Sequence, residues 1–129
     1  LRSADQFGAD LVLIPERRAV QANETVVKVS SGAAQYVPVS VVTNLNREID
    51  KLKENGFWIY GADMAGENSY NENFASRSAI VMGSEGDGMS SLVRKKCDYI
   101  VSIPMRGHID SLNVSVATGI LLYEFRRNN

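Results

Sequence analysis

Ser78-Ala79-Ile80-Val81-Met82-Gly83-Ser84-Glu85-Gly86-Asp87-Gly88-Met89-Ser90 is the stretch on which the fold class turns. It opens as a short apolar run with little polar alternation, the pattern of a strand covered on both faces. It passes straight into glycines and then into a short helix from Met89 to Cys97. Strand, glycine turn and helix in that order form the repeating unit of an α/β domain. The same rhythm continues downstream. Tyr99-Ile100-Val101-Ser102-Ile103 reads as a strand ending at Pro104, Met105 to Leu112 as a loop, and Asn113 to Arg127 as a last helix. Upstream, Leu11-Val12-Leu13-Ile14 is a strand stopped by Pro15. Thr25 to Val29 is a β-branched strand, Ser30 to Tyr36 a short helix and Pro38 to Val42 a third strand. Asn44 caps a helix with Leu45, Ile49 and Leu52 on one face, and Gly56 closes it. Phe57 to Tyr60 is a strand ending in Gly61, and the polar stretch from Ala62 to Ser76 reads mainly as loop. The fold class is therefore α/β, with a mostly parallel sheet and helices on both faces.

The 129 residues make one domain, residues 1–129, large enough to bury a real core. Hydrophobic residues are 44% and charged residues 22% of the chain. That balance excludes a disordered chain. The net charge of −1 advertises no nucleic-acid partner globally, so such a partner must be met by a local patch. Candidates for that patch are Arg17, Arg18, Arg77, Arg94, Lys95, Lys96 and Arg106; Arg94 to Lys96 reads equally as a solvated helix face. The lone Cys97 and lone His108 exclude a disulfide framework and a cysteine- or histidine-rich metal site, so no metal is expected. Cys97 reads as a small packed apolar residue and His108 as loop surface. No stretch approaches the ~20 apolar residues of a membrane span and no signal peptide is visible, so the expected location is the cytoplasm. Residues 2 to 8 look like the second half of a helix ending at Gly8, which makes the N-terminus read as truncated.

Gly83, Gly88 and Ser90 have the spacing of a phosphate-binding P-loop, but Met89 stands where its lysine belongs. Glu85 and Asp87 inside the loop would repel a triphosphate, so a nucleotide triphosphatase is rejected. A strand-to-helix turn needs glycine for positive φ, yet so many glycines exceed that need and point to a ligand approaching the backbone. The Met105 to Leu112 loop leaves a strand at the carboxyl edge of the sheet, where α/β proteins bind ligands. Capping of the last helix by Ser111 or Asn113 is the plainer reading of that loop's polar end. A generic doubly wound nucleotide-binding domain would bind ATP or NAD, but neither a GxGxxG opening nor a P-loop lysine is present. On the last helix, Val114, Ala117, Leu121 and Phe125 form one apolar stripe, and Val116, Ile120 and Tyr123 a second. Two apolar faces on one helix suit a core on one side and a second subunit on the other.

Three blocks resemble the SpoU-type branch of the SPOUT RNA methyltransferases, and the likeness covers nearly the whole chain. The first is Arg2-Ser3-Ala4 with Phe7-Gly8-Ala9-Asp10 and the strand to Ile14-Pro15. The second is Ala79 to Met89. The third is Ile103-Pro104-Met105 with Ser111-Leu112-Asn113-Val114-Ser115-Val116-Ala117. Tyr36 to Val39, Asn44-Leu45 and Gly56 to Gly61 match as well, and the bacterial 23S rRNA guanosine 2′-O-methyltransferases are the most similar branch. The resemblance implies a C-terminal trefoil knot, a rare exception among folds. It further implies S-adenosylmethionine as cofactor, RNA (ribosomal RNA) as substrate and a homodimer through the C-terminal helix. Transfer RNA is the alternative substrate, and a non-catalytic knotted module that binds RNA or cofactor is the alternative role.

Carried over residue by residue, the resemblance places Gly83, Ile103, Met105, Leu112 and Asn113 at the cofactor, with Ala62 and Asp63 lining the same pocket. It assigns the chemistry to Arg2, Glu85, Ser111 and Asn113. Arg2 is a poor base, because a guanidinium stays protonated at any working pH, and is better suited to gripping phosphate and orienting the hydroxyl. Each also has a plain structural reading: Arg2 as a solvated helix residue, Glu85 as an acid favoured by a helix dipole, Ser111 as a cap. The family's first block carries an Asn a few residues before the Arg, and this sequence starts too late to include it. A first strand and part of a first helix are expected upstream. Were they truly absent, the cofactor pocket would persist while catalysis failed.

Overall fold

A computed structural model of the chain describes Gly8 and residues 10–15, 38–68, 73–83, 89–104 and 114–129. The chain divides into two compact units, Leu1–Glu48 and Ile49–Asn129.

In the first unit, β1 (Val12–Pro15) and β2 (Val39–Val42) pair in parallel, with Val12 opposite Val39 and Pro15 opposite Val42. Pro15 does not stop the strand ahead of itself, as the sequence suggests. It forms the last strand residue, an end position on a two-stranded sheet where its missing N–H is tolerated. The expected strand from Thr25 to Val29 and helix from Ser30 to Tyr36 lie outside the described residues. Helix α1 (Leu45–Glu54) starts where Asn44 Oδ1 accepts from Arg47 N at 3.2 Å. That bond satisfies one of the free N–H groups of the first turn, as an N-cap should.

The end of α1 is equally well defined. Gly56 N donates to Lys53 O at 3.1 Å and Phe57 N to Leu52 O at 3.0 Å. Gly56 has φ 84. The pattern is a Schellman stop, which needs the left-handed conformation that glycine adopts freely.

The second unit holds a parallel sheet in the order β4-β3-β5: β4 is Ser78–Val81, β3 is Trp58–Asn68 and β5 is Tyr99–Ser102. Backbone register places Gly61 opposite Val81 on one side and Ala62 opposite Val101 on the other. Asp98 adds a rung before β5, because Ile59 N donates to its Oδ2 and Asp98 N to Ile59 O, both at 2.8 Å.

The strand β3 corrects the expectation that residues from Ala62 onward are loop. It continues to Asn68, because Glu67 and Asn68 find partners on β5 opposite Val101 and Ser102. Backbone pairing with a neighbouring strand satisfies main-chain groups whatever the polarity of the side chains. The register breaks between Ala62 and Glu67, which share Val101 as partner.

Both faces of this sheet carry a helix. Tyr60, Val101 and Phe74 form the core with Leu121 of α3 (Val114–Asn128), and Ala62, Ile80, Met82, Ile103 and Phe125 pack against it. The Tyr60 and Phe74 rings lie 4.6 Å apart, and those of Tyr60 and Tyr99 stack at 5.3 Å. Both separations fall in the range where aromatic pairs attract beyond their area burial. Tyr60 Oη accepts from Ala75 N at 3.0 Å, so the core aromatic also pins the approach to β4. On the other face α2 (Ser91–Lys96) lies over Gly61. This helix is shorter than the sequence suggests. Ser90 Oγ accepts from Val93 N at 3.2 Å and starts it there, while Cys97 is already extended. A hydroxyl in that place caps a helix more effectively than the preceding Met89 could.

Candidate functional site

The strands run parallel, so β4 and β5 leave the sheet on the same edge, at Met82-Gly83 and Ser102-Ile103, beside Ala62-Asp63, where the pairing of β3 with β5 first breaks. Side chains alternate between faces along a strand. Ala62, Met82 and Ile103 therefore share the α3 face, where all three pack on the Tyr60–Val101 core. Gly83 follows, half-buried, at the point where the chain leaves β4. The α3 face of this edge is thus apolar and part-buried among the described residues. In open α/β sheets this edge is where ligands sit.

Of the residues expected at the cofactor, Ala62, Asp63, Gly83 and Ile103 are described, and the sheet brings their four positions to one edge. Met105, Leu112 and Asn113 lie outside the described residues. So do the expected catalytic residues Arg2, Glu85 and Ser111, together with His108. Among the described residues there is no cluster of His, Cys, Asp and Glu able to hold a metal ion, and no helix long and apolar enough to cross a membrane.

Asp63 points to the opposite face from Ala62 and pairs with Arg94 of α2. Lys96, on the same helix turn, and Lys53 of α1 are also used within the chain. Lys96 Nζ bonds both oxygens of Asp50 at 2.7 Å, and Lys53 Nζ reaches Lys96 O at 2.9 Å. Arg77 donates to Asn55 O at 2.8 Å, and its guanidinium lies over the Phe57 ring. The ring contact adds a cation–π attraction to the hydrogen bond. Arg77, Arg94 and Lys96, three of the candidate phosphate contacts, are therefore structural ties in this chain. Local pattern carries no sign of their acidic and carbonyl partners, which lie far along the chain.

Gly61 has no room for a side chain. A Cβ there would come within 2.7 Å of Cys97 Sγ, 3.0 Å of Met89 Cε and 3.1 Å of Ile100 Cδ1. Gly61→Ala is expected to destabilise the unit by about 1–3 kcal/mol through overpacking, read as a lower urea midpoint at unchanged slope. An unchanged midpoint would mean that α2 does not bear on β3 there.

Cys97 sits in that same contact, its Sγ 3.4 Å from Val93 O. Burial pushes its thiol pKa up and Asp98 adds to the rise, while Lys53 and Arg94 oppose it. A raised pKa leaves less thiolate at any given pH. Alkylation by iodoacetamide should therefore be slower than in the urea-unfolded chain, with its pH–rate curve displaced upward. Equal rates in the two states would contradict the packing.

A model described as the SpoU rRNA Methylase family matches residues 1–123. A protein of Staphylococcus epidermidis, classed by name in the TrmH family of tRNA/rRNA methyltransferases, is 52% identical over 128 residues, covering 98% of this chain and 51% of that protein. The SpoU methyltransferase AviRb of Streptomyces viridochromogenes, crystallised in complex with the cofactor AdoMet, is similar with a TM-score of 0.88 at 30% identity, covering 98% of this chain and 52% of its own. An RNA 2′-O ribose methyltransferase gives a TM-score of 0.87 at 28% identity over 98% of this chain and 49% of its own. The chain spans about half the length of the curated relatives it matches.

Proposed function

The chain belongs to the SpoU rRNA methylase family, and from that premise we propose that it transfers a methyl group from S-adenosylmethionine to a ribose 2′-hydroxyl of RNA, in the cytoplasm, with 23S ribosomal RNA as substrate. The observation that carries this reading is the likeness, over nearly the whole chain, to a SpoU methyltransferase whose crystal structure holds AdoMet. Transfer RNA is the second reading, favoured by the joint tRNA/rRNA name of the Staphylococcus relatives. A knotted module that binds RNA or cofactor without turning over is the non-enzymatic alternative. The trefoil knot is part of the proposal.

The apolar wall of Ala62, Met82 and Ile103 fits the adenine of this cofactor, with Gly83, Met105, Leu112 and Asn113 completing the pocket and Asp63 at its margin. Met89, in place of a P-loop lysine, is in keeping with a ligand that carries no phosphates. When bound, the cofactor supplies a methyl on an electrophilic sulfonium. The chain's own task is to position a ribose hydroxyl and help its proton leave, the two terms that dominate such a transfer. Arg2 grips the RNA phosphate beside the target and orients the hydroxyl. Glu85 holds Arg2 or Asn113 in place, and Ser111 and Asn113 bond the ribose or the cofactor.

The proposal includes a homodimer through the C-terminal helix. Leu121 is fully buried on one side of α3, while Val116 and Tyr123 on the second stripe are 53% and 54% exposed. Apolar side chains so exposed on a second stripe suit a second copy.

The substrate reading is tested by incubating the chain with methyl-labelled S-adenosylmethionine and, separately, undermodified 23S rRNA and tRNA. Label in a nucleotide resistant to alkaline cleavage marks the 2′-oxygen, and its presence in rRNA alone is expected. Label in tRNA alone would replace the first reading by the second.

A further inference from the structure

We propose that Arg94 is a positioning residue of the cofactor pocket, acting through Asp63; the inference rests on the methyltransferase reading above. Two contacts register α2 and its flanking residues on β3, at Gly61 and at Asp63. One is steric, with Met89 and Cys97 packed where Gly61 lacks a side chain. The other is ionic, between Arg94 and Asp63.

Their placement is what gives the pair a role. Regular pairing of β3 with β5 stops at Ala62 and resumes only at Glu67, opposite the same Val101. Asp63 is the first residue past the last regular rung. The ladder with β5 breaks there, and Arg94 ties Asp63 to α2. Extra residues in a ladder re-aim side chains beside sites, and their aim has to be held by something else. Arg94 also belongs to the helix that begins just after the glycine stretch, so a single guanidinium joins the two segments that flank the pocket. The Arg94 side chain is 39% exposed and that of Asp63 is 33% exposed. A pair so open to water adds little to global stability. Its effect is on geometry, and geometry is what ligand affinity reads.

The experiment is calorimetric titration of the wild-type chain, Arg94→Ala, Arg94→Lys, Asp63→Asn and the Arg94→Ala/Asp63→Asn double variant. Each is titrated with S-adenosylmethionine and with S-adenosylhomocysteine, and thermal melting is run alongside. Arg94→Ala is expected to weaken both ligands alike by roughly five- to tenfold, at nearly unchanged Tm. Asp63→Asn should lose as much, the double variant no more than either single one, and Arg94→Lys should recover most of the affinity. Should Arg94→Ala fail to fold, Asp63→Asn and Arg94→Lys carry the same expectations.

Unchanged affinities with a lowered Tm would overturn the proposal by making the pair purely structural. Loss for S-adenosylmethionine but not for S-adenosylhomocysteine would also overturn it, because the carboxylate would then read the sulfonium charge directly. Failure of the wild-type chain to bind either ligand would remove the methyltransferase reading and the proposal with it. Wild-type binding with no change in Arg94→Ala removes the proposal alone.

Discussion

Leu121→Ala is expected to lower the stability of the Ile49–Asn129 unit by about 3–4 kcal/mol. Leu121 has 0% exposure and lies among Tyr60, Phe74 and Val101 in the core that joins α3 to the sheet. Truncation removes its transfer energy and leaves a cavity between aromatic rings and a central strand, neither of which can close freely on it. The loss falls in a region where whole domains hold only about 5–15 kcal/mol, so a marginal unit would be close to unfolding. Lys95→Ala, at an exposed position of α2, is the control and should cost the unit well under half as much. Urea unfolding followed by Trp58 fluorescence measures both. Equal effects of the two substitutions would mean that α3 does not present Leu121 to the sheet.

Arg2→Ala is expected to lower the rate of methyl transfer by about 100-fold while leaving the affinity for S-adenosylmethionine within about twofold. The expectation follows from the role proposed for Arg2. A guanidinium that stays charged at all working pH values cannot itself remove a proton, so its contribution is phosphate binding and alignment of the hydroxyl. Such a contribution is realised with RNA in place and not in the binary complex. Arg2→Lys should restore phosphate attraction and recover only part of the rate, since an ammonium lacks the planar fork. Single-turnover kinetics with labelled cofactor, paired with calorimetry, separates the two quantities. A loss of cofactor affinity equal to the loss of rate would place Arg2 in the cofactor pocket instead.

Much of the architecture is legible in local chemistry. The Asn44 cap and the Gly56 stop of α1 are single-residue signals, and the structure uses both. The apolar runs at Ser78–Val81 and Tyr99–Ser102 are strands, as expected of unbroken β-favouring segments. The double stripe on α3 reads correctly too, with Leu121 inside and Val116 and Tyr123 outside. The polar run after Ala62 is where local reading fails. Its strand character comes from a partner more than thirty residues along the chain, opposite Val101 and Ser102, which no local pattern encodes. The same reason hides Arg94. A basic helix turn looks like a surface for phosphates until Asp63 and Asp50 arrive from β3 and α1. Of the candidate site, Gly83 and Ile103 follow the ends of the two strands that flank β3, with Ala62 on β3 between them. The roles of Arg2, Glu85, Ser111 and Asn113 rest on the family pattern.

The central claim is methyl transfer to RNA, and the most direct test is a time course of label passing from methyl-labelled S-adenosylmethionine to undermodified ribosomal RNA, run with the chain and with Asn113→Ala. The account predicts label at a ribose 2′-oxygen that accumulates with enzyme and time and is lost in Asn113→Ala. RNA that stays unlabelled, while calorimetry shows the chain folded and saturated with cofactor, would contradict it and leave a cofactor-binding module in its place.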